Sequence, residues 1–296
     1  MTETVLAVLN QPSRDAAPHD PAADAFTFEA PLDHQVQVQD LGITRGDGVF
    51  ETITVVDGRP QALEAHLARF GRSAAKLDLP APDTDAWRRA IEAACAELDP
   101  VREAFVKTVL TRGVEGTDRP TGWVYAAASG DSTAARTEGI AVVTLDRGYR
   151  HDVERTSPWL LQGAKTLSYG VNMAALREAV RRGADDALFL STDGYVLEGT
   201  RANLVMSVGG RLVTPRTDIG ILDGTTQADV FRFAEAEGIE TAYELVTRDD
   251  LRAADALWLV SSVRQAAPIR SVDGEPQAMD LALTEQINEF LLARES

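Results

Sequence analysis

The chain has 296 residues, 44% of them hydrophobic and 25% charged, and a formal net charge of −17. That length suits two ordinary domains, and the composition is that of a soluble globular protein. The acidic balance argues against a nucleic-acid partner, and no apolar run reaches the roughly 18–20 residues that a membrane span needs, so neither partner is expected.

Residues 1–25, punctuated by Pro12, Pro18 and Pro21, read as a mobile N-terminal arm with one short strand near Val5–Leu9. Alternation from Val36 to Val38 predicts a half-buried strand, and Gly46-Asp47-Gly48 a tight turn. Phe50 to Val56 is a further strand, closed by the hairpin signal Asp57-Gly58. Leu63, His66, Leu67, Phe70 and Ala74 share one face of a helix over 63–77, and a second helix spans 83–98. Strands follow over 104–111 and 123–128. The small, polar stretch 129–138 reads as a surface loop, and 140–145 as a strand.

The region 146–160 lacks periodicity and is read as the domain boundary. This gives a small domain over 26–146, a linker over 147–160 and a second domain over 161–296. In the second domain a helix over 169–182 ends at Gly183. Strands are expected over 187–191, 195–198, 203–208 and 211–214. A helix over 226–237 ends at Gly238, β structure surrounds Trp258–Ser261, and a last helix covers 281–293.

The chemistry-bearing residues begin with Lys165. Its sequence neighbours are apolar or small, with no carboxylate close by, so a poorly hydrated amine of lowered pKa is expected there; a solvated lysine at a helix start is the plain alternative. Glu198 ends an apolar strand before Gly199 and needs a partner, either a protonated ring nitrogen or Arg201. Asp223-Gly224-Thr225-Thr226 precedes a helix, where amides and hydroxyls suit a phosphate or form an ordinary cap. Arg69 projects from the first helix and is able to close on a phosphate. The four histidines His19, His34, His66 and His151 are scattered, so no metal site is expected. Cys95 is the single cysteine, read as a small core residue. It rules out an internal disulfide and, with no secretion-signal pattern at the N-terminus, points to the cytoplasm.

Together these segments resemble the class IV aminotransferases, the fold-type IV pyridoxal-phosphate enzymes, from about Gln39 to Pro268. KTLSYGVNMAALREA from Lys165 is similar to the family's Schiff-base region. GYVLEGTRANLV from Gly194 is similar to its second signature, with Lys165 and Glu198 33 residues apart. The resemblance implies a two-domain α+β fold with a smaller α/β N-terminal domain and a larger, β-rich C-terminal one. It implies a homodimer that binds pyridoxal 5′-phosphate. Lys165 would hold the cofactor and move the proton, Glu198 would keep the ring nitrogen protonated, and Tyr169 would bond the ring's phenolic oxygen. Arg69, Thr225, Thr226 and Ser262 would hold the phosphate; relatives often carry Gly-Thr where this chain has Ser261-Ser262.

Two reactions fit the resemblance. One is amino transfer between an amino acid or amine and a keto acid. The other is the lyase reaction that splits 4-amino-4-deoxychorismate into 4-aminobenzoate and pyruvate. Glu51, where lyases of the family tend to carry threonine, favours transfer. Glu51, Arg112 and Arg119 are the expected substrate contacts, with an exposed loop position the alternative for the two arginines.

Overall fold

The computed structural model of the protein describes residues 3–11, 25–33 and 35–294, which divide into two compact units. The first comprises Met1–Gly130, Ala164–Tyr169 and Arg294–Ser296; the second comprises Asp131–Gly163 and Gly170–Ala293. The expected linker at 147–160 therefore lies inside the second unit. The short segment that carries Lys165 belongs to the first, because its backbone pairs there.

The first unit runs β1 (Thr4–Leu9), β2 (Phe26–Glu29), α1 (Leu41–Thr44), β3 (Gly48–Val56), β4 (Arg59–Pro60), α2 (Leu63–Lys76), α3 (Thr84–Glu97), β5 (Glu103–Thr111) and β6 (Thr121–Ala128). Its strands form an antiparallel sheet in the order β2-β1-β6-β5-β3-β4. The strand expected within the N-terminal arm is an interior one: Ala7 of β1 is fully buried, opposite Phe28 on one side and Val124 on the other. The rest of the arm, 12–24, lies outside the described residues.

Val36–Val38 is irregular, not a strand, and Val38 is 82% exposed. Three alternating residues are too few to hold a ladder. The chain turns instead at Asp40, whose carboxylate caps α1 by accepting the Gly42 N–H at 2.8 Å. The Asp57-Gly58 hairpin forms with both residues at positive φ, 49° and 78°, which matches the twist of the flanking strands.

Helices α2 and α3 bury the faces their periodicity marks. Phe70 and Trp87 meet edge to face at 4.9 Å, and Asp83 caps α3 by accepting the N–H groups of Asp85 and Ala86. Cys95 is buried in α3, and burial pushes its thiol up to about 12, which makes it an inert core residue.

The second unit runs α4 (Thr133–Thr137), β7 (Ile140–Asp146), α5 (Val153–Thr156), α6 (Gly170–Arg181), β8 (Asp186–Leu190), β9 (Val196–Gly199), β10 (Asn203–Val208) and β11 (Arg211–Pro215). It continues with α7 (Thr225–Ala236), β12 (Thr241–Glu244), α8 (Arg248–Ala253), β13 (Ala256–Ser261), β14 (Gln265–Val272), β15 (Glu275–Pro276) and α9 (Leu281–Leu292). The sheet order is β12-β11-β10-β13-β14-β7-β8-β9, with β15 beside β14. β11–β12, β14–β7 and β7–β8 are parallel pairs, so the sheet is mixed.

Both faces of this sheet are covered. Leu204, Leu257 and Leu259 enter one core, while their alternates Val205, Trp258 and Val260 enter another with Phe233 and Leu291. The expected loop at 129–138 contains α4. Its Arg136 donates to the main-chain oxygens of Val263 and Arg264, which gives the helix a tertiary anchor that local composition does not announce. The mixed architecture and the β-rich second unit match the fold class expected from the sequence.

Candidate active site

In the first unit, Lys165 sits on a segment docked along the edge of β3. The Phe50 N–H donates to the Lys165 carbonyl at 3.1 Å and the Leu167 N–H to the Gly48 carbonyl at 2.8 Å, and Val49 and Thr166 form an antiparallel bridge between them. Gly48 makes this approach possible: a Cβ there would lie 2.7 Å from both the Leu110 carbonyl oxygen and Leu167 Cδ1. The Lys165 N–H donates to Ser73 Oγ of α2 at 3.1 Å.

The Lys165 side chain places Nζ 4.6 Å from the centre of the Phe50 ring, and Phe50 meets Tyr169 edge to face at 5.2 Å. The sequence contains only three lysines. Lys76 and Lys107 are exposed, whereas Lys165 is half-buried.

Beneath this segment lies a buried ionic cluster. Arg69 grips Glu51 with two donors, Nε to Oε1 at 2.8 Å and Nη2 to Oε2 at 2.7 Å. His66 Nδ1 is 2.8 Å from Glu51 Oε2. The residues come together because Glu51 is a buried position of β3 while α2 presents His66, Arg69 and Ser73 one and two turns apart on its buried face.

Burial alone would raise the Glu51 carboxyl. The charge and hydrogen bonds of Arg69, with help from His66, override it and hold the group well below the usual carboxylate range. Burial also lowers His66, reinforced by Arg69 and Lys165 and opposed by Glu51, so its imidazole is kept neutral and donates Nδ1–H to the carboxylate. Glu51 is 1% exposed and both its oxygens accept from side chains of α2, so it is placed to hold α2 side chains rather than to meet a ligand.

In the second unit, Glu198 is half-buried at the end of β9, and its Oε2 accepts the Leu222 N–H at 3.1 Å. Asn203 holds the same residue from the other side, donating Nδ2–H to the Leu222 carbonyl at 2.8 Å. The pair fixes the turn that leads into α7. Gly224 caps that helix without a side chain, and a Cβ there would fall 2.0 Å from Asn203 Oδ1.

Thr225 and Thr226 are buried in the first turn of α7, where backbone N–H groups and the helix dipole suit an anion. Ser262 follows β13 in a loop braced by side chains: Gln265 Nε2 donates to the Ser262 carbonyl, and Arg264 donates to the buried Asp186 at 3.0 Å.

Arg112 is half-buried, bonded to Asp47 through Nε at 2.6 Å and Nη2 at 3.1 Å and to the Leu77 and Asp78 carbonyls. A substrate carboxylate at Arg112 would have to compete with Asp47. Arg119 is exposed, and its Nε donates to the Gln11 carbonyl at 2.9 Å.

Sequence reasoning passed over three residues near these groups. His66 and Ser73 carried a signal, since they lie three before and four after Arg69 on one helical face. Tyr149 carried none. Its phenol donates to Gln162 at 2.7 Å, and burial, with the Glu198 charge adding to it against Arg147, pushes it up to about 12.

Taken unit by unit, the groups are of kinds that suit parts of pyridoxal phosphate: in the first unit an amine on a pinned backbone, and in the second a carboxylate suited to a ring nitrogen and buried hydroxyls at a helix N-terminus suited to a phosphate. A family model described as amino-transferase class IV matches residues 48–272. A curated protein of Mycobacterium tuberculosis, named bifunctional aminodeoxychorismate lyase / D-amino acid transaminase, is 43% identical, covering 81% of this chain and 86% of its own. Among solved structures, the fold IV-transaminase CpuTA1 from Curtobacterium pusillum has 53% identity and a TM-score of 0.94, covering 99% of this chain and 98% of that one. The PLP-bound structure of a hypothetical aminotransferase from Mycobacterium tuberculosis has 38% identity and a TM-score of 0.87, covering 97% of each chain.

Proposed function

The chain belongs to the class IV amino-transferases, enzymes that depend on pyridoxal phosphate, and on that basis we propose that Lys165 holds pyridoxal 5′-phosphate here while the enzyme moves an amino group between an amino acid or amine and a keto acid. The observation that carries this reading is Lys165 itself: the one half-buried lysine of three, with both main-chain polar groups bonded and its amine over an aromatic ring.

Bound, the cofactor supplies the electron sink that makes the proton on the substrate's α-carbon removable. Lys165 supplies the amine that holds the cofactor and the base that takes that proton. Glu198, its Oε2 held by the Leu222 N–H, keeps a proton on the ring nitrogen. Tyr169 bonds the phenolic oxygen. Arg69, Thr225, Thr226 and Ser262 bind the phosphate.

The family reading also brings a homodimer. Trp159, 72% exposed, and Val171 and Val180 on α6, 56% and 64% exposed, are apolar surface for a second copy to cover. Among the described residues no helix is long and apolar enough to cross a membrane. The cytoplasm suits a chain with one buried thiol.

Adding an amino acid or amine alone to the loaded enzyme is expected to convert its spectrum to that of the pyridoxamine form, and pyruvate or another keto acid to reverse it. The panel must span L- and D-amino acids and R- and S-amines. The second reading, 4-amino-4-deoxychorismate lyase, is supported by the name of the 43% identical relative, which gives that activity beside D-amino acid transaminase. It prevails if no donor converts the cofactor while aminodeoxychorismate gives 4-aminobenzoate and pyruvate over many turnovers.

Glu198→Gln is expected to leave cofactor binding within a few-fold of wild type and to slow the single-turnover rate by about 10²-fold or more. A neutral amide loses the charge that holds the ring nitrogen's proton, a charge-assisted bond of roughly 1.5–3 kcal/mol. A wild-type single-turnover rate in this variant removes Glu198 from that role.

A further inference from the structure

Three contacts of Lys165 lie within the first unit. Its carbonyl accepts from Phe50, its amine rests over the Phe50 ring, and its N–H donates to Ser73 Oγ at 3.1 Å. Two of the three come from β3. The other comes from α2, whose buried face also carries His66 and Arg69. Ser73 is 2% exposed and lies 92 positions before the residue it bonds.

We propose that Ser73 is a positioning residue for Lys165: its hydroxyl fixes the lysine's main chain against α2 and thereby sets where the amine stands. The proposal rests on the reading of Lys165 as the cofactor's lysine.

The physical argument starts from the N–H. A part-buried backbone donor needs an acceptor, and Ser73 supplies it from a rigid helix. A lysine side chain has four rotatable bonds, so its amine is only as well placed as the backbone that bears it. Losing the acceptor leaves a part-buried N–H unpaired, and the segment shifts to find another partner. Lys165 then leaves its station over Phe50 and its place relative to the Glu51–Arg69 ion pair, which β3 and α2 hold. Bond formation at an amine demands reacting atoms held within a few tenths of an ångström, so the effect falls on the amine's chemistry more than on the fold.

The test compares Ser73→Ala, Ser73→Cys and Ser73→Thr with wild type. Alanine removes the acceptor. Cysteine keeps the volume but accepts weakly. Threonine restores a hydroxyl. Because the chain has only three lysines, labelling the cofactor-free protein with an amine-acylating reagent and mapping peptides gives Lys165 reactivity against Lys76 and Lys107 as internal references.

In S73A and S73C the pH profile of Lys165 labelling is expected to shift while those of Lys76 and Lys107 stay put. Lys165 is expected to capture pyridoxal phosphate about tenfold more slowly, and melting temperatures to stay near wild type. S73T is expected to recover most of the capture rate. Wild-type labelling profiles and capture rates in both S73A and S73C overturn the proposal. Borohydride reduction of the loaded wild-type protein separates this from failure of the underlying reading. A linkage mapped to Lys76 or Lys107 removes Lys165 as the cofactor's lysine, and the proposal falls with it.

Discussion

Lys165→Ala is expected to abolish turnover, by at least the ~10²–10⁴-fold that one positioned acid–base group contributes, and to remove the borohydride-reducible link to the cofactor. The fold should survive. The bonds that dock the segment, from Lys165 N–H to Ser73 and from Phe50 N–H to the Lys165 carbonyl, belong to the main chain and remain in the variant. Among what goes is the amine over Phe50, a contact of about 0.5–2 kcal/mol. The two remaining lysines, Lys76 and Lys107, are exposed and are poor substitutes. A soluble, normally melting variant without activity is therefore the expected result. Near-normal turnover, or a reducible link retained on another lysine, would sink the assignment.

Lys165 and Glu198 could be proposed by reading along the chain because each lies within a contiguous segment whose local pattern carries the resemblance. The helices α2 and α3 were legible for a different reason: fourteen-residue elements repeat their apolar spacing enough times to fix the period. Val36–Val38 shows the opposite case, since three residues alternate equally well in a strand and in a turn. β1 was legible as a strand but not as an interior one, because its burial depends on Phe28 and Val124, far away in sequence.

The roles of the polar residues were the least legible. Glu51 looked like a substrate contact. Its partners sit 15 and 18 positions later on α2, and nothing local to Phe50-Glu51-Thr52 marks them. Arg112 meets Asp47 across 65 positions. Such pairings are properties of how α2, β3 and β5 pack, and a one-dimensional pattern does not encode them.

Glu51→Ala is expected to destabilise the protein by about 3–5 kcal/mol, because it leaves the Arg69 guanidinium buried without its carboxylate. At roughly 2–4 °C per kcal/mol, the melting temperature should fall on the order of 10 °C. Arg69→Met in the same background should recover part of that loss, since the uncompensated charge is then gone. Strict additivity of the two substitutions would mean that the pair is not coupled.

The pH dependence gives a second check. The folded-state pKa of Glu51 is lowered, so its stabilisation is complete above the unfolded value of about 4.3 and is lost as pH falls toward the folded value. His66 is also lowered, so in wild type the unfolded chain gains a proton first, below about pH 6.5, and stability begins to decline there. The gap between wild type and Glu51→Ala should thus be widest near neutral pH and narrow below about pH 4.

This bears on the choice of reaction. With both oxygens held by Arg69 and His66, Glu51 acts on a substrate only through what it positions: Arg69, where we place the phosphate, and the charge near Lys165. If so, Glu51→Gln should weaken cofactor binding and shift the pH profile of Lys165 before it changes which product forms. A clean switch from amino transfer to elimination in that variant, with cofactor affinity unchanged, would place Glu51 against the substrate after all.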